Sequence, residues 1–204
     1  MPQFSQTEKE KINEQLIVIA KQLFSSKGIK KTSLEDLTSV VGIAKSSFYV
    51  FFESKEALYL ELLDQEGPGI EERVWEAVNQ KSSIEDKIKT YLHEMTRELD
   101  DNPLMKRLQT HPDELQSIAR KVTPEFLQKK TERNVLPLLH FINEQKEAGE
   151  LIDKDSEVIL RLMRAAMTIS LHKKDIGIDL YPKIQDMMFE AVSSYITKRK
   201  PQEE

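Results

Sequence analysis

Helix start and stop signals recur along the whole chain and leave little room for any other kind of structure. Ser5 and Glu8 form a capping pair ahead of Ile12, Leu16, Ile19, Ala20 and Leu23, which follow at helical spacing until Gly28 offers a stop. Thr32 or Ser33 caps a short helix over 34–41 that ends at Gly42. A third short helix is expected over 45–52, and Ser54 caps a fourth that continues from Lys55. The triplet Gly67-Pro68-Gly69 should break or sharply kink that fourth helix, because proline has no N–H and its ring crowds the preceding turn. Ser83, Asn102-Pro103, His111-Pro112 and Thr123-Pro124 announce further starts. The helix opened by Pro124 should bend at Pro137 and close at Gly149, with two more helices over about 156–174 and 182–198. No segment alternates with the period of a strand, and nothing repeats. The fold class is all-α.

Composition narrows the function. Of 204 residues, 39% are hydrophobic and 32% charged, enough apolar mass for a core in a soluble protein. Cysteine is absent, which excludes disulfides and thiolate metal sites. No basic-then-apolar leader opens the chain and no apolar run reaches membrane-spanning length, so a cytoplasmic location is expected. The histidines at 93, 111, 140 and 172 fit no metal-ligand spacing, and no glycine-rich phosphate loop follows a strand. Neither an enzyme, a metal site nor a cofactor is expected. The net charge is −5, yet residues 1–60 carry 8 Lys against 7 Asp and Glu. Lysines 27, 30, 31, 45 and 55 outnumber Glu35, Asp36 and Glu53 over 27–55, a mild local signal for nucleic acid.

The two C-terminal helices stand apart. Residues 158–171 are apolar on nearly every side except Arg161 and Arg164, the pattern of a helix buried all round. The last helix carries a broad apolar stripe, and Ala165 and Ala166 permit close approach of a neighbour. Two readings stay open, an intramolecular core and a homodimer interface of four helices. In the second, Ile159, Leu162, Ala166 and Ile169 would meet the partner together with Ile184, Met187, Met188, Ala191, Val192 and Tyr195.

The stretch GIAKSSFYVFFESKEAL, 42–58, has four aromatic residues in five positions. A capped helix, a glycine turn and a second short helix make a helix-turn-helix over about 33–52, whose second helix enters a DNA major groove. Phe48, Phe51 and Phe52, at i, i+3 and i+4, then form its buried side against Leu23, Phe24, Leu37 and Val41. Tyr49 points away from them, beside Lys45 and Ser46, where a phenol can donate to a phosphate oxygen.

Residues 17–58 closely resemble the DNA-binding region of the TetR family of bacterial transcriptional regulators. The shared features are Ala20-x-x-Leu23-Phe24, Lys27-Gly28-Ile29, Thr32-Ser33, Gly42-Ile43, Phe48-Tyr49-x-x-Phe52 and Ser54-Lys55-Glu56-Ala57-Leu58. The resemblance implies a DNA-binding domain over 7–54, a connecting helix over 55–80 with its break at 67–69, and a helical ligand-binding and dimerisation domain over 81–204. It implies phosphate contacts from Thr32, Ser33, Tyr49 and Lys55, and major-groove contacts from Lys45, Ser46 and Ser47. The partners implied are a pseudo-palindromic double-stranded DNA operator, a second copy of the chain, and a small apolar or amphipathic effector. Candidate effector-lining residues are Trp75, His93, Met95, Met105, Leu108, His140, Phe141, Met163 and Met167.

The chain also departs from the family pattern. Ala44 stands where Ser or Thr is usual, Ser46 where Gly is, and Val50 where His or Tyr is; residues 1–60 contain no arginine, the commonest guanine reader. The expected function is a repressor released from its operator by an effector. The alternative is a structural or division-associated DNA-bound protein that recruits a protein partner and has no inducer.

Overall fold

A computed structural model describes residues 4–120 and 135–198. The helices are α1 (Gln6–Ser26), α2 (Leu34–Val41), α3 (Lys55–Asn79), α4 (Ile84–Asp101), α5 (Pro103–Thr110), α6 (Pro112–Ala119), α7 (Leu136–Glu147), α8 (Ser156–Met167), α9 (Lys173–Ile176) and α10 (Tyr181–Ile196). Short 3₁₀ segments occupy Lys45–Val50 and Thr168–His172. Among the described residues the only strand-like pairing is an isolated bridge between Leu151 and Thr197.

The local signals act largely as their chemistry dictates. Ser5 and Ser33 each form a full capping box, with Glu8 and with Asp36. Ser54, Ser83 and Asn102 accept backbone N–H groups at the starts of α3, α4 and α5. Pro137 lies in the first turn of α7, where its missing N–H costs nothing, instead of kinking a helix interior; the expected opening of that helix at Pro124 lies outside the described residues.

The break expected at 67–69 does not occur. α3 is continuous over 25 residues with Pro68 inside it. Glycines on both sides of Pro68 remove side-chain crowding around the ring. Apolar anchors hold the helix before and after it, with Leu58, Leu62 and Leu63 on one side and Ile70, Val74 and Val78 on the other, all buried.

The chain divides into two compact units, and not at the contiguous boundaries expected from its sequence. One comprises Met1–Glu66 and Asn102–Leu127, the other Gly67–Asp101 and Gln128–Glu204. The first unit therefore recruits α5 and α6. Its core joins Leu16, Ala20 and Phe24 of α1 to Leu37, Phe48, Leu58, Tyr59 and Leu62, and then to Leu104, Leu108 and Ile118. Phe24 and Tyr59 stack with ring centroids 5.2 Å apart. Fully burying side chains of this size contributes roughly 1.5–3 kcal/mol each, before any loss to chain entropy.

The second unit packs the C-terminal part of α3 with α4, α7, α8 and α10 around Val74, Val78, Ile88, Leu92, Ile142, Ile159, Met163 and Phe189. Trp75 sits 5.4 Å from Tyr91 and 5.5 Å from Phe141, ring centre to ring centre. α8 is not buried on every side. Ile159, Leu160, Met163 and Ala166 face the core, while Val158, Arg161, Leu162, Arg164 and Ala165 are exposed. The alternation follows the helical period: one apolar stripe packs inside the chain and a second is left outside.

Candidate nucleic-acid interface

The helix-turn-helix is assembled from the α1–α2 turn outward. Gly28 adopts φ +83, and a Cβ there would fall 2.1 Å from Glu114 Oε1, so both conformation and space require glycine. The Thr32 hydroxyl donates to the Gly28 carbonyl at 2.7 Å, and the residue is 1% exposed. From the start of α3, Lys55 Nζ donates to the carbonyls of Ile29 at 2.6 Å and Thr32 at 2.9 Å. On the other side of the turn, Arg107 of α5 makes a two-pronged contact with Glu114 of α6 at 2.8 and 2.9 Å and donates to the Lys27 carbonyl at 3.2 Å. Glu114 is 4% exposed, so this pair is withdrawn from water, and the hydrogen bond to Glu114 raises the Arg107 pKa against the opposing effect of burial.

Ser33 caps α2 through its hydroxyl, while its own N–H and hydroxyl both donate to Asp36. The Ser33 backbone N–H is the main reason the Asp36 carboxyl is held down at about 2, aided by Lys27, whose Nζ stands 3.0 Å away. Gly42 ends α2 in the left-handed conformation.

The recognition segment is a 3₁₀ helix and not the expected α-helix. Ala44 supplies no side-chain cap, and Lys45–Val50 is only six residues long. Without a cap, a short aromatic and β-branched segment has little to favour α geometry, and the tighter turn is common in pieces of this length. Phe48 anchors it. The ring is fully buried, lies 5.9 Å from Phe52 and meets Tyr49 edge-on at 5.8 Å. The outward residues are Ala44, Lys45, Ser46, Tyr49 and Val50, with Tyr49 60% and Val50 46% exposed.

Of the seven residues expected to contact DNA, Lys45, Ser46 and Tyr49 share this outward surface. Ser47 does not. It is 3% exposed, next to the buried Phe48, and its hydroxyl has no hydrogen-bond partner among the described residues. Thr32 is likewise turned inward. Ser33 is exposed, but Asp36 occupies its donors, and the Lys55 ammonium is engaged by two carbonyls that hold the turn. Sequence reasoning assigned no role to Val50 and missed the Arg107–Glu114 pair. The latter joins two short helices across Pro112, which no single-helix spacing rule connects.

The expected effector-lining residues do not converge on one place. Met105 and Leu108 pack in the first unit's core. Met163 lies in the second unit's core, against which the partly buried Trp75, Met95, Phe141 and Met167 pack. His140 is exposed. His93 lies 3.1 Å from Asp186 and edge-on to Phe189, beside a concavity of about 430 Å³ also bordered by Glu94, Arg97, Asp100, Lys173 and Tyr181. Burial, and secondarily Asp100, pushes the Tyr181 phenol up to about 12. A second concavity, about 620 Å³, is lined by Val135, Glu157, Leu160, Arg161, Arg164, Ala165 and Thr168, with Glu157 paired to Arg161.

The residues expected at a dimer interface also separate. Ile159, Ala166 and Ile169 are buried in the core of the single chain. Leu162, Ile184, Met187, Met188, Ala191 and Tyr195 are exposed, and Val192 is half-buried. Among the described residues no three His, Asp or Glu side chains gather as metal ligands, and no helix is long and apolar enough to cross a membrane.

Comparison with known proteins agrees with this geometry. Residues 16–62 match the model of the bacterial regulatory proteins of the tetR family. A 57-residue stretch, 28% of this chain, is 42% identical to YuxN, an uncharacterized HTH-type transcriptional regulator of Bacillus subtilis (strain 168), and spans only 19% of that protein. A TetR family transcription regulator from Marinobacter aquaeolei VT8 superposes with a TM-score of 0.68 at 13% identity, over 96% of this chain and 100% of that one. RolR, in complex with its ligand resorcinol, superposes with a TM-score of 0.64 at 12% identity, over 96% of this chain and 92% of that one. These structural likenesses speak to the fold.

Proposed function

We propose that this chain, whose residues 16–62 match the model of the bacterial regulatory proteins of the tetR family, is a homodimeric repressor of that family released from its operator by a small molecule. The observation that carries the reading is the recognition segment, pinned by the buried Phe48 and presenting Lys45, Ser46 and Tyr49 outward. Lys45 and Ser46 address base edges in the major groove, and the Tyr49 phenol donates to a phosphate. The exposed apolar stripe of Leu162, Ile184, Met187, Met188 and Tyr195 supports pairing with a second copy. A dimer would set two recognition segments about one DNA turn, ~34 Å, apart on a pseudo-palindrome.

RolR binds resorcinol, so a small-molecule effector has precedent on this fold. In this chain the concavity beside α8 combines Leu160, Ala165 and Val135 with Arg164 and with Arg161, which pairs with Glu157 at 2.6 Å, a mixed lining suited to an amphipathic effector. Such an effector would act by preferring a state that does not fit the operator.

The test is selection of bound sequences from a random duplex pool. A palindromic motif with half-sites one helical turn apart is the expected outcome. Enrichment without any motif would sink the repressor reading and favour the backbone-gripping structural alternative.

A further inference from the structure

We propose that Val50, at the opposite end of the recognition segment from the exposed Ala44, reads the operator by packing against a thymine 5-methyl group, so that sequence preference rests on methyl contacts more than on hydrogen bonds. The inference rests on the DNA-binding reading above and adds to it a residue and the base it selects.

Three observations carry it. First, donors are scarce. Residues 1–60 contain no arginine, and the structure removes Ser47 and Thr32 by burial and Ser33 by its bonds to Asp36. On the recognition segment, Lys45 and Ser46 are the exposed side chains left to hydrogen-bond base edges if Tyr49 serves a phosphate. Second, an apolar surface takes their place. Ala44 is exposed and Val50 is 46% exposed, on a segment whose position is fixed by Phe48 at 0% exposure. Third, the major-groove edge of thymine offers a methyl group, and contact with a small apolar side chain is the ordinary way of recognising it. A branched aliphatic side chain held rigidly on a groove-facing helix has one kind of complementary surface there. Single exposed valines are common on proteins; here the valine stands on the recognition segment itself, with few polar groups beside it to do the reading.

The experiment uses the full-length protein and a duplex recovered by selection. Each thymine of a half-site is replaced in turn by uracil, which deletes the methyl and leaves the pairing and hydrogen-bonding edges intact. The expected result is about fourfold weaker binding at one or two positions per half-site, the worth of one buried methyl group. In Val50→Ala, an exposed position checked for unchanged thermal unfolding, the uracil penalty at one of those positions should vanish. Unchanged wild-type affinity on all uracil duplexes would overturn the proposal, as would survival of every uracil penalty in Val50→Ala. A penalty removed by Tyr49→Ala but not by Val50→Ala would assign the methyl contact to the tyrosine and equally overturn it. Failure of the wild-type protein to bind any duplex is a different result, and it would bring down the DNA-binding reading itself.

Discussion

The Lys55 ammonium stands 2.6 Å from the Ile29 carbonyl oxygen, so a lysine at the start of α3 secures the turn that opens the helix-turn-helix. The Thr32 carbonyl at 2.9 Å is its second acceptor, so one ammonium serves two backbone oxygens of the turn. Lys55→Met should therefore destabilise the protein by about 2 kcal/mol, the scale of hydrogen bonds to a charged group. Urea denaturation would measure this. The salt dependence of DNA binding discriminates the roles: its slope should be unchanged in Lys55→Met and should fall by about one in Lys45→Ala. A loss of slope in Lys55→Met with unaltered stability would return the lysine to the phosphate backbone.

Arg107 and Glu114 form a withdrawn pair, with side chains 14% and 5% exposed. Removing one partner leaves the other charged and poorly solvated, so Arg107→Met should cost about 3–5 kcal/mol. Replacing both, as Arg107→Met with Glu114→Leu, should recover most of that loss. A double variant no more stable than the single one would mean that the Arg107 contact with the Lys27 carbonyl matters more than the ion pair.

Ser47 carries a buried hydroxyl with no hydrogen-bond partner among the described residues. Ser47→Ala removes that unpaired group, and the variant should be as stable as the parent or more stable by up to about 1 kcal/mol. Its selected DNA motif should match the parent's. A changed motif would show that the side chain turns outward on DNA.

Asp36 titrates at about 2 instead of 3.8. Because its folded-state pKa is depressed, its ionised form stabilises the fold fully above pH 3.8, and that contribution is lost as pH falls toward 2. Wild type should melt above Asp36→Asn at neutral pH, and the gap should close between pH 4 and pH 2. A gap of constant size would mean that lost cap geometry, not charge, accounts for the difference.

The legible parts of this chain were those governed by local chemistry. Ser5 with Glu8, Ser33 with Asp36, Ser54, Ser83 and Asn102 cap the helices they announce, and Phe48 is buried as the i, i+3, i+4 spacing requires. What could not be read depends on neighbours distant in sequence. Ser47 and Tyr49 are both polar and two residues apart, so a helical segment sends them to opposite sides, and only the packing of the first unit decides which one is turned inward. Lys55 has the spacing of a phosphate ligand, but the carbonyls that engage it lie 26 and 23 residues earlier. Pro68 breaks an isolated helix, yet the packing on both sides of it keeps α3 whole.

The first unit is built from two separated stretches, Met1–Glu66 and Asn102–Leu127, with Gly67–Asp101 given to the other. In engineering terms the DNA-reading module has no single cut site. A fragment ending at Glu66 would lack Leu104, Leu108 and Ile118, and would expose the surfaces of Phe24, Leu58 and Leu62 that belong to the same core. Transplanting its sequence preference onto another regulator would mean carrying both stretches together, with residues 67–101 treated as an insertion that the recipient replaces.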